Sequence, residues 1–307
     1  MKQEERKADT AWIWHPLLRQ QLVNAPQRMQ RREDATACPF CADLAAGKVA
    51  PDAQVWVRPN DFPPFSPPLG EAYIVMYHRD HARQFTHLSV EEVSAVTHLW
   101  RDLYTSLAQR YPAVMIFENS GAAIGQTQPH PHGQAYGVAI IPPIVARELE
   151  TVLQEEQAGR GCPFCRVQRE LTNTVFELVG APTWQAFLPP FARYPYETHL
   201  APRRHVANLG LLTEAELRDF AEVLLRVMRG YNALCEGAMA PMPYLLGIHQ
   251  IADERFHLHM EIQAIARAPG KLKYAAAAEA LWGLWTNDSS PAHKAQELRE
   301  AIAKGTC

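Results

Sequence analysis

The tetrapeptide Cys-Pro-Phe-Cys occurs twice in this chain of 307 residues, at 38–41 and at 162–165. Each copy opens a similar series of landmarks. His81 lies 40 residues after Cys41, and His205 lies 40 residues after Cys165. Eight residues beyond each histidine stands a capping box, Ser89-x-x-Glu92 and Thr213-x-x-Glu216, that starts a helix. Each series ends on two histidines one residue apart. These are His130-Pro-His132-Gly-Gln134, 49 residues after His81, and His257-Leu-His259-Met-Glu261, 52 residues after His205. Five landmarks in one order at nearly one spacing imply an internal duplication, with two similar α+β halves of about 130 residues each.

The local patterns fit that division. In the first half, residues 54–58, 72–77, 113–118 and 134–141 are apolar and partly β-branched, so they read as strands. The helix begun at Ser89 presents Val93, Val96, Trp100, Leu103 and Leu107 as its buried stripe. In the second half, residues 184–188 and 197–201 read as strands, and Leu217, Phe220, Leu224, Val227 and Tyr231 form the matching stripe. The 24 prolines, with pairs at 63–64 and 67–68, imply long ordered loops.

Each half offers two cysteines and two histidines: Cys38, Cys41, His81 and His130, then Cys162, Cys165, His205 and His257. Two thiolates and two imidazoles make a closed tetrahedral zinc site, and thiolates disfavour magnesium or calcium. Redox or merely buried cysteines are the alternative, but they do not explain histidines at matched spacing. Cys235 and Cys307 fit no such pattern and read as free thiols.

On an extended segment His130 and His132 point the same way. If His130 holds zinc, its strand is pinned and His132 faces the pocket. Neutral imidazole is a competent nucleophile toward phosphorus. Gln134, two residues on, can donate to a phosphate oxygen as charge builds there. Gly133 lets a large group come close. The plain alternative is two polar histidines at a strand start, since short motifs say little alone.

The net charge of −3 and pI near 6.5 give no electrostatic argument for nucleic acid or membrane partners. No apolar run reaches spanning length and none resembles a signal peptide, so a cytoplasmic location is the default expectation. The first forty residues carry Trp12, Trp14 and the basic run Arg28, Arg31, Arg32, and that run reads as a solvated face.

Along Phe117-Glu-Asn-Ser-Gly-Ala-Ala-Ile-Gly-Gln-Thr-Gln-Pro-His-Pro-His-Gly-Gln134 the chain resembles the galactose-1-phosphate uridylyltransferases, a branch of the histidine-triad superfamily. The resemblance runs from Pro16 to Glu279. It implies an α+β fold of two tandem histidine-triad-like halves, 1–150 and 151–307, on an antiparallel sheet flanked by helices. It implies a ping-pong transfer of a nucleoside monophosphate, UMP, between hexose 1-phosphates, in a homodimer. Carried over by position, His132 is the nucleotidylated histidine and Gln134 its phosphate contact. Asn60, Asp61, Asn119, Gly125 and Thr127 fall on nucleotide-sugar contacts. Arg28 and Arg31 fall on arginines that reach across the dimer, and Lys273 and Glu279 on the sugar-contacting segment. Cys38, Cys41, His81 and His130 fall on the family's zinc site.

Some members hold a second metal, iron or zinc, on one glutamate and three histidines, here Glu148, His249, His257 and His259. His257 also belongs to the duplicated cysteine set, so the two sets are not expected to form together. Internal symmetry favours Cys162, Cys165, His205 and His257, and hence two zinc ions per chain. The histidine-triad hydrolases have a third histidine where this chain has Gln134, which favours transfer over hydrolysis. Residues 273–279 lack the family's glycine and tyrosine before the glutamate, and the alanines at 275–278 favour helix. Two other classes stand beside transfer: a nucleotide-sugar phosphorylase, for example on an ADP-sugar, and a non-catalytic zinc-stabilised binding module.

Overall fold

The strands of both halves join edge to edge in a single antiparallel sheet of nine. The structure, a computed structural model, describes residues 10–30, 37–235 and 241–305. The first half supplies β1 (Ala11–His15), β2 (Gln20–Asn24), α1 (Pro39–Ala45), β3 (Trp56–Pro59), β4 (Gly70–Met76), α2 (Val90–Leu107), β5 (Ala113–Ser120), β6 (His132–Val138) and α3 (Pro143–Gln157). The second supplies α4 (Pro163–Leu171), β7 (Glu177–Gly180), β8 (Trp184–Phe187), β9 (Thr198–Pro202), α5 (Glu214–Leu234), β10 (Tyr244–His249) and β11 (His259–Ala264). The short strands β12 (Ala266–Ala268) and β13 (Lys271–Leu272) precede α6 (Ala277–Trp282) and α7 (Pro291–Gly305).

The sheet order is β3-β4-β6-β5-β10-β11-β9-β8-β7. Read inward from its edges, β3-β4-β6-β5 mirrors β8-β9-β11-β10, with β7 added outside. The seam is the β5–β10 pair, where Ile116 lies opposite Ile248 and Glu118 opposite Leu246.

Both capping boxes form as the sequence implies. Glu92 N–H donates to Ser89 Oγ at 3.2 Å, and Ser89 N–H to Glu92 Oε2 at 2.7 Å. Thr213 and Glu216 repeat the exchange at 3.3 and 2.8 Å. Each such cap is worth about 1 kcal/mol. On α2 the buried stripe runs through Tyr104, while Leu103 is only partly buried. On α5 all five expected residues are buried, and so are Ala221, Val223, Leu225 and Met228. The extra burial has a tertiary cause. Helix α5 lies between α2 and α7, and a Cβ on Gly230 would come within 2.4 Å of Ile302. Trp184 stacks flat on Phe220 at 4.2 Å, which ties the sheet to α5. Each such large side chain contributes about 1.5–3 kcal/mol of burial.

Helices α2 and α5 cover one face of the sheet. Helix α1 packs its Phe40 against Trp56 and Met76 on the other, and Trp12 of the β1–β2 hairpin packs on Phe65 there. Among the described residues no helix is long and apolar enough to cross a membrane. Arg31, Arg32 and Cys307 lie outside the described residues. Cys235 is buried, and burial pushes its thiol up to about 11.

Candidate active site and metal centres

Strand β6 starts at His132 itself, two residues earlier than the apolar pattern implies. Cross-strand pairing sets Met76 beside His132, and Ile74 and Phe117 beside Gln134. His132, Gln134 and Tyr136 therefore share a face with Phe117 and Asn119 of β5. Gly133 and Ala135 point to the helical face.

His132 Nδ1 lies 2.8 Å from the His130 carbonyl oxygen. A carbonyl oxygen only accepts, so Nδ1 carries the proton and Nε2 the lone pair in the neutral ring. The Phe40 ring stands 5.2 Å from His132 and 5.8 Å from His130. The Tyr136 hydroxyl donates to Gln134 Oε1 at 2.7 Å, which makes the Gln134 NH2 the donor end of that amide. Neither aromatic neighbour was singled out from the sequence. The alternation of β6 could have found Tyr136.

The loop between β5 and β6 is held by Gly121 N–H donating to Gln126 Oε1 at 2.6 Å. Gly125 in this loop sits at φ +80°, a left-handed position that favours glycine. Thr127 is half-buried. On the β3–β4 loop, Asn60 Oδ1 accepts Phe62 N–H at 2.9 Å, and Asp61 pairs with Arg58 at 2.7 and 2.9 Å. Arg28 donates to the Phe62 carbonyl at 3.2 Å, so Arg28, Asn60 and Asp61 meet in one neighbourhood. Lys273 and Glu279 are instead engaged in their own segment. The Lys273 ammonium donates to the Thr286 carbonyl and lies 5.8 Å from the Tyr194 ring centre. Glu279 accepts from Thr286 Oγ1 at 2.7 Å and from Ala276 N–H at 3.0 Å, and these donors hold it down at about 2.

The first cysteine–histidine set converges. Cys41 Sγ lies 3.5 Å from His81 Nδ1 and 3.6 Å from His130 Nδ1, and Cys38 Sγ lies 3.6 Å from His130 Nδ1. Zinc–sulfur and zinc–nitrogen bond lengths give a tetrahedral edge of about 3.6 Å, so the donors fit that ion. The second set converges more loosely. Cys165 Sγ lies 3.3 Å from His205 Nδ1 and 3.1 Å from His257 Nδ1, with Cys162 Sγ at 4.0 Å from His257. In both sets the far ring nitrogen donates to a carbonyl: His130 to His78 at 2.8 Å, His205 to Glu254 at 2.9 Å, His257 to Pro202 at 3.2 Å. That leaves each Nδ1 as the ligand nitrogen. The hydrogen bond between Cys162 and Cys165 pulls the first thiol down to about 3 and pushes the second far up. A divalent cation held there would let both ionise.

A third cluster corrects one expectation. Glu148, His249, His259 and Glu261 bring their donor atoms within 4.8 Å of one another, and His257 is not among them. The His257 ring is committed through both nitrogens, to the cysteines and to Pro202. Glu261 takes its place because it shares a face of β11 with His259. The two sets therefore coexist. Glu148 lies 3.0 Å from His249 Nδ1 and 3.7 Å from His259 Nε2. Burial pushes Glu148 up, but those histidines overcome it and hold it below the usual carboxylate range. Burial likewise opposes Glu261, yet His199, His249 and Arg193 bring it to about 2. Phe164 stacks on His259 at 4.6 Å, and a cavity of about 330 Å³ opens beside them. Period-2 alternation through His257-Leu-His259-Met-Glu261 carried the signal for Glu261.

Sequence models of the galactose-1-phosphate uridyl transferase N-terminal and C-terminal domains match residues 46–142 and 162–273. The Haemophilus influenzae galactose-1-phosphate uridylyltransferase is 30% identical over 78% of this chain and 74% of its own. The chain belongs to the galactose-1-phosphate uridylyltransferase family. The Thermotoga maritima enzyme of that name is 29% identical over 75% of this chain and 74% of its own. A solved uridylyltransferase superposes with a TM-score of 0.86 at 26% identity, covering 95% of this chain and 98% of that one. A solved ADP-glucose phosphorylase from Arabidopsis thaliana shares the fold, with a TM-score of 0.75 at 18% identity over 95% and 99% of the two chains.

Proposed function

We propose that this enzyme moves UMP between hexose 1-phosphates through a covalent nucleotidyl–His132. The observation that carries the reading is the contact between His132 Nδ1 and the His130 carbonyl, which makes Nε2 the nucleophilic nitrogen. Nε2 attacks the α-phosphorus of a nucleotide sugar, the bond from that phosphorus to the bridging oxygen breaks, and the sugar 1-phosphate leaves. A second sugar 1-phosphate reverses the step. There its phosphate oxygen attacks the phosphorus and the bond to His132 Nε2 breaks. In the first step the departing sugar 1-phosphate is a good leaving group, so no strong general acid is required. The Gln134 amide, oriented by Tyr136, donates to a phosphate oxygen as charge builds. Asn60, Asp61, Asn119, Gly125 and Thr127 line the nucleotide side.

Cys38, Cys41, His81 and His130 would hold zinc, which would pin the residue two before the nucleophile. The Cys162, Cys165, His205, His257 set would do the same for the second half. Glu148, His249, His259 and Glu261 would hold a harder ion, because two carboxylates replace two thiolates. The mirrored strand order supports reading 1–150 and 151–307 as the two halves.

A homodimer is supported by two exposed apolar segments. Trp14, Leu17 and Leu18 stand out on the β1–β2 hairpin, and Leu281, Trp282 and Leu284 around α6. Arg28 and Arg31 follow the first of these in the sequence. Incubation with UDP-glucose alone tests the reading: a nucleotidyl mass on His132, discharged by a hexose 1-phosphate, is expected. The engagement of Lys273 and Glu279 within their own segment favours a second reading, a phosphorylase in which inorganic phosphate discharges the label instead.

A further inference from the structure

Strand β6 carries His132 and Gln134 on one face and Gly133 on the other. The place of a Gly133 side chain is taken by the end of Tyr77. A Cβ built there would lie 2.0 Å from the Tyr77 hydroxyl oxygen and 2.9 Å from Cζ. So the large group that Gly133 admits comes from the core, not from a ligand. Tyr77 also donates its N–H to the Pro131 carbonyl at 3.2 Å, so main chain and ring both brace 131–133. Phe85 at 5.6 Å and Trp100 at 5.9 Å hold the ring edge-on.

The Tyr77 hydroxyl is buried and meets no hydrogen-bond partner at full bonding geometry among the described residues. Glu118 on β5 is 4% exposed, and one of its oxygens, Oε2, is buried and equally unpartnered. Its other oxygen accepts from the Tyr244 hydroxyl on β10 at 2.6 Å. Burial pushes Glu118 up to about 7 against the two phenols, Tyr244 and Tyr77, that bear on it. Among the described residues Glu118 forms no salt bridge. A carboxyl group buried without a cation is costly, and its cost needs a reason. The reason available is its position: through Tyr244 it spans the seam between the halves, and by strand alternation it faces the side of the sheet where the Tyr77 phenol fills the place of a Gly133 side chain.

We propose that Glu118, acting through Tyr77, is a positioning residue for the strand that carries His132. The carboxyl group, fixed by Tyr244 from the second half, holds the Tyr77 phenol against Gly133. Protein interiors are close-packed, so a shift of that phenol moves the Gly133 peptide and the imidazole next to it. In-line attack at phosphorus depends steeply on such placement. The inference rests on His132 being the nucleotidylated residue.

The test is quenched single-turnover labelling of the full-length, metal-replete protein with UDP-glucose and ADP-glucose. Wild type, Y77F, E118A, E118Q and the Y77F/E118A double variant are compared, with thermal melts to establish folding. E118A and Y77F should each slow labelling at saturating nucleotide sugar by about tenfold, with half-saturation changed by less than about twofold. The double variant should be no slower than the slower single, since both act through one contact. E118Q, which can still bond Tyr244 and fill the space, should recover most of the rate. A wild-type rate in E118A, an effect confined to half-saturation, or multiplicative losses in the double variant would overturn the inference. Absence of label on wild type would overturn the transfer reading and this one together. Label on wild type with E118A unaffected overturns this one alone.

Discussion

His259 repeats the contact of His132: its Nδ1 lies 2.9 Å from the His257 carbonyl oxygen, against 2.8 Å from His132 Nδ1 to the His130 carbonyl. Both rings are thus held in one tautomer by the residue two before them. Their surroundings divide them. Beside His132 stands neutral Gln134, a donor suited to phosphate. In the matching place beside His259 stands Glu261, with Glu148 3.7 Å from its Nε2. Two carboxylates repel a phosphate and attract a cation. On the proposed reading, the surroundings of His132 suit an anion and those of His259 suit a cation.

Covalent labelling should follow that division. H132A should lower nucleotidyl label by at least about a thousandfold, and label should not move to His259. Intact-protein mass spectrometry after incubation with a nucleotide sugar reads this directly. Full labelling of H132A would refute the assignment.

Metal content gives a second prediction. Purified protein should hold two zinc ions and one harder divalent ion per chain. C162S should lose one zinc and keep the harder ion. E261A should lose the harder ion and keep both zincs. Elemental analysis of the three proteins decides it, and C162S with an unchanged zinc content would sink the second zinc site. Stripping zinc should also lower the melting temperature, since site formation is coupled to folding.

Sugar discrimination should be weak. Helix α6 occupies Ala277–Trp282, and Glu279 commits its oxygens to Thr286 and Ala276. One lost sugar hydrogen bond is worth about 0.5–1.5 kcal/mol, so glucose and galactose 1-phosphate should differ by about tenfold or less as acceptors. Competition of the two for the labelled enzyme measures it. A preference of about a thousandfold for galactose 1-phosphate would refute the weakened pocket.

Glu118 gives stability an unusual pH dependence. Its carboxyl group titrates at about 7 in the folded chain. In the unfolded chain it titrates near about 4.3. Below the lower value both states are protonated and the group contributes nothing. Between the two, the unfolded state binds fewer protons, so stability falls as pH rises. Above 7 the full cost is reached, on the order of 4 kcal/mol. E118Q cannot ionise and should lose this component. Urea midpoints from pH 4.5 to 8 should therefore fall more steeply for wild type than for E118Q, and parallel curves would contradict the buried acid.

Much of this enzyme is legible in local sequence. The paired Cys-Pro-Phe-Cys units, the capping boxes and the alternation of His130, His132 and Gln134 are local patterns. Local dihedral preference and period-2 geometry are enough to place them. The matched spacings carried the duplication and both cysteine–histidine sets. Three things needed the tertiary structure. The fusion of two half-sheets at β5–β10 depends on which edges remain unpaired, and no local pattern records that. Helix α7 buries α5 on a second side, so an amphipathic stripe understated its burial. The rotation of His257 toward sulfur, which leaves Glu261 to join His259, was decided by competition between two ligand sets for one ring. Sequence named both sets, and only the packing of α4 against the strand ends assigned the histidine.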